Sequence, residues 1–227
     1  GGTLLQGSTD SIIRGVSTDT RQLVAGNLYI PLKGANFDGH DFLDVAVKKG
    51  AGGVLVDVHH AFILETGSKK TDGCLKILVD DTLKALGDLA RFWRRAVGRP
   101  VIAITGSSGK TTTKEMTAAI LEQTFSVLKT EGNLNNLIGL PLTLLRMHRG
   151  HDLALVELGT NARGEIKRLT EIAEPDIGLV TNIGPAHLEG LKTLEIIREE
   201  KGDLYGTMPK SGLAVFNADD EAMAPLR

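Results

Sequence analysis

The chain has 227 residues, 41% hydrophobic and 24% charged, which is enough to bury one large core or two modest ones and too apolar for a disordered chain. A formal net charge of -2 excludes a global basic field able to hold a nucleic acid, so any phosphate site has to be local. A single cysteine, Cys74, excludes an internal disulfide, and no apolar run approaches the roughly 18 residues of a membrane span. No basic-then-apolar leader opens the chain, which points to the cytoplasm and against membrane insertion. The chain begins Gly1-Gly2-Thr3 without a methionine, so the native N-terminus is expected upstream.

In chain order, residues 28–32, 53–56 and 75–79 read as strands, and residues 40–49 as a helix closed by Gly50. Residues 59–73, with Gly67-Ser68-Lys69-Lys70 among them, have the composition of a surface loop. Leu83, Leu86, Leu89, Ala90, Trp93 and Val97 have helical spacing, and Thr82 is the expected N-cap. Gly98-Arg99-Pro100 breaks that helix before an apolar strand at 101–105, and further strands are expected at 125–128, 153–157, 177–181 and 213–216. Strands separated by helices need right-handed crossovers, so residues 101–216 should form a mostly parallel sheet covered on both faces. The predicted class is α/β, with a small domain over residues 1–81 and a central domain over 82–227.

The clearest chemical signal is Gly106-Ser107-Ser108-Gly109-Lys110-Thr111-Thr112, between the strand at 101–105 and a helical stretch containing Glu115, Met116, Ala119 and Ile120. Glycines let successive N–H groups curl around phosphate oxygens, and the following helix N-terminus adds partial positive charge. Lys110 would reach the β- and γ-phosphates of ATP, and the Thr111 hydroxyl would ligate Mg2+. Ile104 stands where the longer motif has a glycine, so this is the short G-x-x-G-K-T form. A glycine-rich turn with a solvent-facing lysine is the plain alternative.

Three further segments fall just past expected strands or turns. Residues 130–143 form a polar stretch with Asn133, Asn135 and Asn136, whose amides both donate and accept, leading into a Gly-Pro helix start. Glu157 ends an apolar strand on the expected carboxyl edge of the sheet, a place for a hard oxygen ligand to Mg2+ or for a simple capping glutamate. His187 follows the Gly184-Pro185 turn, and Lys201 comes fourteen residues later in a helical stretch, where a lysine paired with a carboxylate is the ordinary reading. In the first domain, residues 15–21 and 33–42 read as turns rich in hydroxyl, acidic and basic groups.

In order and spacing these segments resemble the Mur ligase family, over the whole central domain and into the first. The resemblance implies a small N-terminal domain that holds a UDP-linked substrate and a P-loop central domain that binds ATP. It also implies an amide-forming ligase of peptidoglycan synthesis that activates a carboxylate as an acyl phosphate. Glu157-Leu158-Gly159-Thr160-Asn161 followed by Gly164-Glu165-Ile166 is similar to the member that joins D-alanyl-D-alanine to UDP-N-acetylmuramoyl-tripeptide, although Ala162-Arg163 stands where His-Pro is often found. On this resemblance Ser17, Thr18, Asp19, Arg21 and His40 would hold the UDP end, and Asn133, Asn135 and Asn136 would line the muramoyl-peptide cleft. Thr111 and Glu157 would hold one Mg2+. His187 and a carbamylated Lys201 would hold a second metal, where Mn2+ would substitute well. The family also implies a third, C-terminal domain beyond Arg227 and a monomer. Alternatives left open are another Mur-type ligase, a folylpolyglutamate synthetase, and a non-catalytic, truncated nucleotide- or UDP-sugar-binding relative.

Overall fold

Parallel pairing dominates both sheets of the computed structural model, which describes residues 2–61, 74–185 and 193–226. Contacts divide the chain into Gly1–Leu86 and Gly87–Arg227, a division that falls inside a helix rather than at residue 81.

The first unit contains β1 (Thr3–Gln6), β2 (Gly15–Ser17), β3 (Asn27–Tyr29), α1 (Leu43–Lys48), β4 (Gly53–Asp57) and β5 (Leu75–Val79). The sheet order is β1-β5-β4-β3-β2, with β1 antiparallel to β5 and the other pairs parallel. Strand β3 ends before Ile30 and Pro31, short of the strand expected over 28–32, because proline has no N–H for the ladder. Strands β1 and β2 carry no readable alternation: β1 is an edge strand with Leu4 and Leu5 exposed, and β2 has only three residues. A 3-10 turn at Gly39–Phe42 leads into α1, and Gly50 follows with φ at 82°, a left-handed conformation that glycine adopts without Cβ strain. Leu23, Tyr29, Leu43, Ala46, Val54 and Val56 form the core of this unit. Of the expected loop at 59–73, residues 62–73 lie outside the described residues.

Helix α2 (Thr82–Val97) is capped by Asp81, not Thr82: Asp81 Oδ1 accepts the Lys84 N–H at 2.8 Å, which makes Thr82 the first helical residue. The second unit then runs β6 (Val101–Thr105), α3 (Lys110–Leu121), β7 (Val127–Lys129), α4 (Gly139–Leu145), β8 (Leu153–Glu157), α5 (Glu165–Ala173), β9 (Ile177–Val180), α6 (Leu194–Thr207) and β10 (Leu213–Phe216). All its strands are parallel, in the order β10-β9-β6-β8-β7. The chain therefore leaves β6 on one side for β7 and β8 and returns on the other for β9 and β10. This puts a topological switch at the carboxyl end of β6, where open α/β sheets bind ligands.

Alternation along the strands separates two apolar faces. Val101, Ala103, Ala154, Val156 and Val180 meet Leu140 and Leu144 of α4, Ile166 and Leu169 of α5, and Ile197 and Leu204 of α6. Ile104 and Leu155 on the other face meet Ala118 of α3. Met116 and Ile120, the apolar residues that mark α3 in the sequence, are instead 65% and 72% exposed, and the buried face of the helix is Lys114 and Ala118. The small alanine lets the helix lie close to the sheet.

Three arginines of α2 clamp the end of α5. Arg91 and Arg95 both bind the Glu174 carboxylate, the former at 2.7 Å, and Arg94 donates to the carbonyls of Ala173 and Glu174 at 2.9 and 2.7 Å. Arg95 and then Arg91 hold the Glu174 carboxyl down at about 2, outweighing the upward push of burial. A depressed carboxylate pKa stabilises the fold above its unfolded value, and that contribution is lost as pH falls toward 2. Glu174→Gln should therefore lower the melting temperature at pH 7, and thermal melts at decreasing pH should show the difference from wild type shrinking below pH about 4.5.

Candidate functional site

The loop from Gly106 to Gly109 joins β6 to α3, and two glycine conformations make it possible. Gly106 has φ at 143°, and a Cβ there would lie 2.0 Å from Thr181 Oγ1; Gly109, with φ at 76°, is the N-cap of α3. The segment just past β9 holds the loop from one side. Ser107 N–H donates to Asn182 O at 3.0 Å, and the Ser107 hydroxyl both donates to Gly184 O and accepts the Gly184 N–H at 2.9 Å. Ser108 N–H donates to Asn182 Oδ1 at 3.0 Å, while Thr181 Oγ1 donates to Ser108 O at 2.6 Å. The serine side chains thus brace the loop against residues 181–184, and the residues of the motif that face the cleft are Gly109, Lys110, Thr111 and Thr112.

That cleft, about 520 Å³, opens at the carboxyl ends of β6 and β8. Glu157, the last residue of β8, lies at its floor and is buried. Its Oε2 accepts the Thr111 hydroxyl at 2.8 Å, and its Oε1 accepts the Asn135 amide at 2.9 Å. Its backbone N–H donates to Thr130 Oγ1 at 3.0 Å. Asn133 also lines the cleft, as does Asn136, whose Oδ1 at the same time accepts the N–H groups of Ile138 and Gly139 at the start of α4. Lys110 Nζ donates back to Gly106 O at 2.9 Å.

Lys201 sits on α6 with its side chain fully buried, and its Nζ has no hydrogen-bond partner. Burial first, and the neighbouring Lys110 cation second, pull its pKa down to about 8 against the opposing fields of Glu200, Glu165 and Glu157. An uncompensated ammonium in such a place is costly. The next residue back, Glu200, anchors α6 differently, accepting Gly164 N–H at 2.6 Å and Ile166 N–H at 2.8 Å at the start of α5. His187 lies outside the described residues. Thr160, Asn161 and Glu165 also line the cleft, and no expectation from sequence gave them a role. Their signal was position: polar residues directly after the carboxyl end of a buried strand.

In the first unit, Ser17 at the end of β2, Asp19 and Arg21 are knitted into one turn that includes Thr18. Ser17 Oγ donates to Asp19 O at 2.8 Å, and Arg21 grips the Asp19 carboxylate through Nε at 2.9 Å and Nη2 at 2.6 Å. The Arg21 side chain hydrogen bond, followed by its backbone N–H, holds the Asp19 carboxyl at about 2. His40 lies below the surface at 2% exposure, its Nδ1 2.7 Å from Asp38 Oδ1. It stacks on His60, ring centroids 3.9 Å apart, and His60 Nδ1 lies 2.7 Å from Asp57 Oδ1. Burial raises both carboxyls, and the hydrogen bonds from His40 to Asp38 and from His60 to Asp57 outweigh it, leaving each below its ordinary value. Asp38, His40 and His60 bring possible ligand atoms within 4.8 Å of one another, but the rings lie only 8° from parallel, so their in-plane lone pairs run side by side instead of converging on an ion. The quartet is a hydrogen-bonded clamp between the 3-10 turn and the end of β4.

Among the described residues, no helix is long and apolar enough to cross a membrane. The family model of the Mur ligase middle domain matches residues 104–227, and that of the Mur ligase family catalytic domain matches residues 12–94. The UDP-N-acetylmuramoyl-tripeptide–D-alanyl-D-alanine ligase of Escherichia coli K12 is 45% identical over 217 residues, covering 95% of this chain and 45% of that protein. The Bacillus subtilis protein of the same name is 42% identical over 92% of this chain and 44% of its own length. Among solved structures, MurF from Acinetobacter baumannii superposes with a TM-score of 0.85 at 36% identity, over 95% of this chain and 46% of that one. The MurF ligase of Thermotoga maritima in complex with ADP gives 0.83 at 33% identity, over 96% and 49%. The chain thus spans about half the length of the curated relatives it matches. With a middle-domain match over more than half its residues, the chain belongs to the Mur ligase family.

Proposed function

We propose that this chain supplies the phosphate-binding and carboxylate-activating parts of a cytoplasmic, ATP-dependent ligase that joins D-alanyl-D-alanine to UDP-N-acetylmuramoyl-tripeptide. The observation that carries the reading is the cleft itself: a glycine loop and helix N-terminus on one side, the Thr111–Glu157 pair on its floor, and the orphaned Lys201 amine buried beside them. Its relatives of that name and the ADP-bound neighbour supply the substrates.

Amide formation in water needs the acceptor carboxylate to be converted to an acyl phosphate, which the incoming amine then attacks with loss of phosphate. Backbone N–H groups of Gly109 and of the α3 N-terminus would hold the nucleotide phosphates, and Lys110 would swing from Gly106 O to the transferring γ-phosphoryl group. Asn133 and Asn135 would orient the acceptor's peptide end. Thr111 Oγ1 and Glu157 Oε2 are hard oxygens 2.8 Å apart and fit Mg2+, with Mn2+ as a substitute. When bound, the cation neutralises and aligns phosphate oxygens. The knitted turn of Ser17, Thr18, Asp19 and Arg21 would bind the UDP end, with His40 bracing the neighbouring structure from below.

Lys201 fits a carbamate. The neutral amine, favoured by burial, adds to CO2 with formation of an N–C bond and release of a proton to solvent, replacing a buried cation with a carboxylate-like anion. Together with His187 this anion would hold a second metal ion. No protein nucleophile is required.

Three outcomes test the reading in the full-length protein. Phosphate release and product mass should show turnover with D-alanyl-D-alanine and not with single amino acids as the amine component. Lys110→Ala should lower ligation by about 100-fold or more at unchanged melting temperature; undiminished turnover would remove the phosphate-loop assignment. Lys201→Ala should nearly abolish ligation while ATP still binds, short carboxylic acids should partly restore it, and 13C-bicarbonate should give a carbamate resonance in wild type that the variant lacks.

A further inference from the structure

We propose that Lys114 is a positioning residue for ligation, locking the phosphate-loop helix to the asparagine segment and to Glu157; the inference rests on the function proposed above. Lys114 sits one turn past Lys110 on α3, 1% exposed, and does not line the cleft. Its Nζ donates to Thr130 O at 2.6 Å and lies 3.0 Å from Glu115 Oε1. Thr130 is itself buried and is gripped at every polar group: its N–H donates to Leu155 O at 3.1 Å, its Oγ1 accepts the Glu157 N–H at 3.0 Å, and its carbonyl takes Lys114. Beyond Thr130 the segment continues to Asn135, whose amide meets Glu157 Oε1 at 2.9 Å and whose carbonyl accepts the Gly159 N–H at 2.8 Å.

A buried lysine is an expensive way to satisfy one carbonyl, which water or a serine would serve as well. What the long cationic side chain adds is reach between two elements. Helix α3 carries Lys110 and Thr111; the segment it grips carries Asn133 and Asn135. Through Thr130 the same contact fixes the backbone of Glu157, so the two sides of the cleft are held in one register.

In the full-length protein, Lys114→Met should lower kcat about tenfold or more and raise the Mg2+ concentration for half-maximal rate severalfold, as loss of a supporting partner does at a metal site. The KM for the UDP-linked substrate should change less than about twofold, because its UDP end would be held elsewhere. Thr130→Val should reproduce the pattern, Thr130→Ser should stay near wild type, and the double variant Lys114→Met/Thr130→Val should be no worse than the weaker single one. Wild-type kcat and Mg2+ dependence in Lys114→Met, or independent multiplication of the two losses, would overturn the proposal. Should Lys114→Met not fold, the Thr130 pair decides alone: wild-type Mg2+ dependence in Thr130→Val overturns it. Lys110→Ala, assayed in parallel, separates the two readings. If it retains turnover, the phosphate-loop reading fails; if it is inactive while Lys114→Met is normal, only the Lys114 inference fails.

Discussion

The arrangement of the central unit turns on one buried carboxylate. Glu157 ends β8 beside the loop that ends β6, and it is held on three sides at once by Thr111, Asn135 and Thr130. A carboxylate taken out of water is tolerable only when its oxygens are hydrogen-bonded, and here each oxygen has its donor. Those donors come from the helix after the phosphate loop and from the segment after β7, so satisfying Glu157 also fixes the two elements that form the cleft walls. The parallel sheet makes this possible: β6 and β8 are in register from Val101 with Ala154 to Ile104 with Glu157, which brings their carboxyl ends to the same level.

Lys201 presents the opposite electrostatic condition. Glu157 has its partners inside the protein, whereas Lys201 Nζ has none, and the Lys110 cation nearby adds repulsion to the cost of burial. Lys110 lines the cleft and Lys201 is buried close enough to feel its charge, an arrangement that disfavours the charged form of Lys201. The flanking carboxylates offset this only in part and make no hydrogen bond to Lys201 Nζ. Glu200 and Glu165 are engaged with N–H groups around the start of α5, Glu165 accepting from Asn161 at 2.6 Å, so they hold the turn that lines the cleft in place of pairing with the lysine.

Much of this was legible in the residues. The parallel central sheet followed from apolar runs alternating with helical spacing, and the tight glycine loop between β6 and α3 from glycines between a strand and a helix; both kinds of signal are local. Strands β1 and β2 were not legible, because a partly exposed edge strand and a three-residue strand have no period to detect. The capping residue of α2 was missed by one position, since Asp81 and Thr82 are both good caps and only the hydrogen bond to Lys84 distinguishes them. The burial of Lys114 and the exposure of Met116 and Ile120 run against residue type altogether. Sequence periodicity shows that α3 is a helix, but which face turns inward depends on a contact with Thr130, sixteen residues further along the chain, that no local pattern encodes.

The same distinction separates motif from mechanism within the loop. Ser107 and Ser108 belong to the glycine-loop string, yet their hydroxyls are committed to Gly184 and Asn182, in the segment that follows β9 on the other side of the switch point. Their contribution is to the shape of the loop. Gly106 makes the same point in steric terms, because Thr181 occupies the space a side chain would need. The N–H groups of Ser107 and Ser108 are committed to Asn182 as well, so the dipoles left aimed at the cleft are those of Gly109 and the first turn of α3, where a helix N-terminus favours negative charge. The segment after β9 is therefore part of what shapes the loop between β6 and α3. The chemistry of the cleft then depends on three strand ends, those of β6, β8 and β9, being held level by the parallel sheet beneath them.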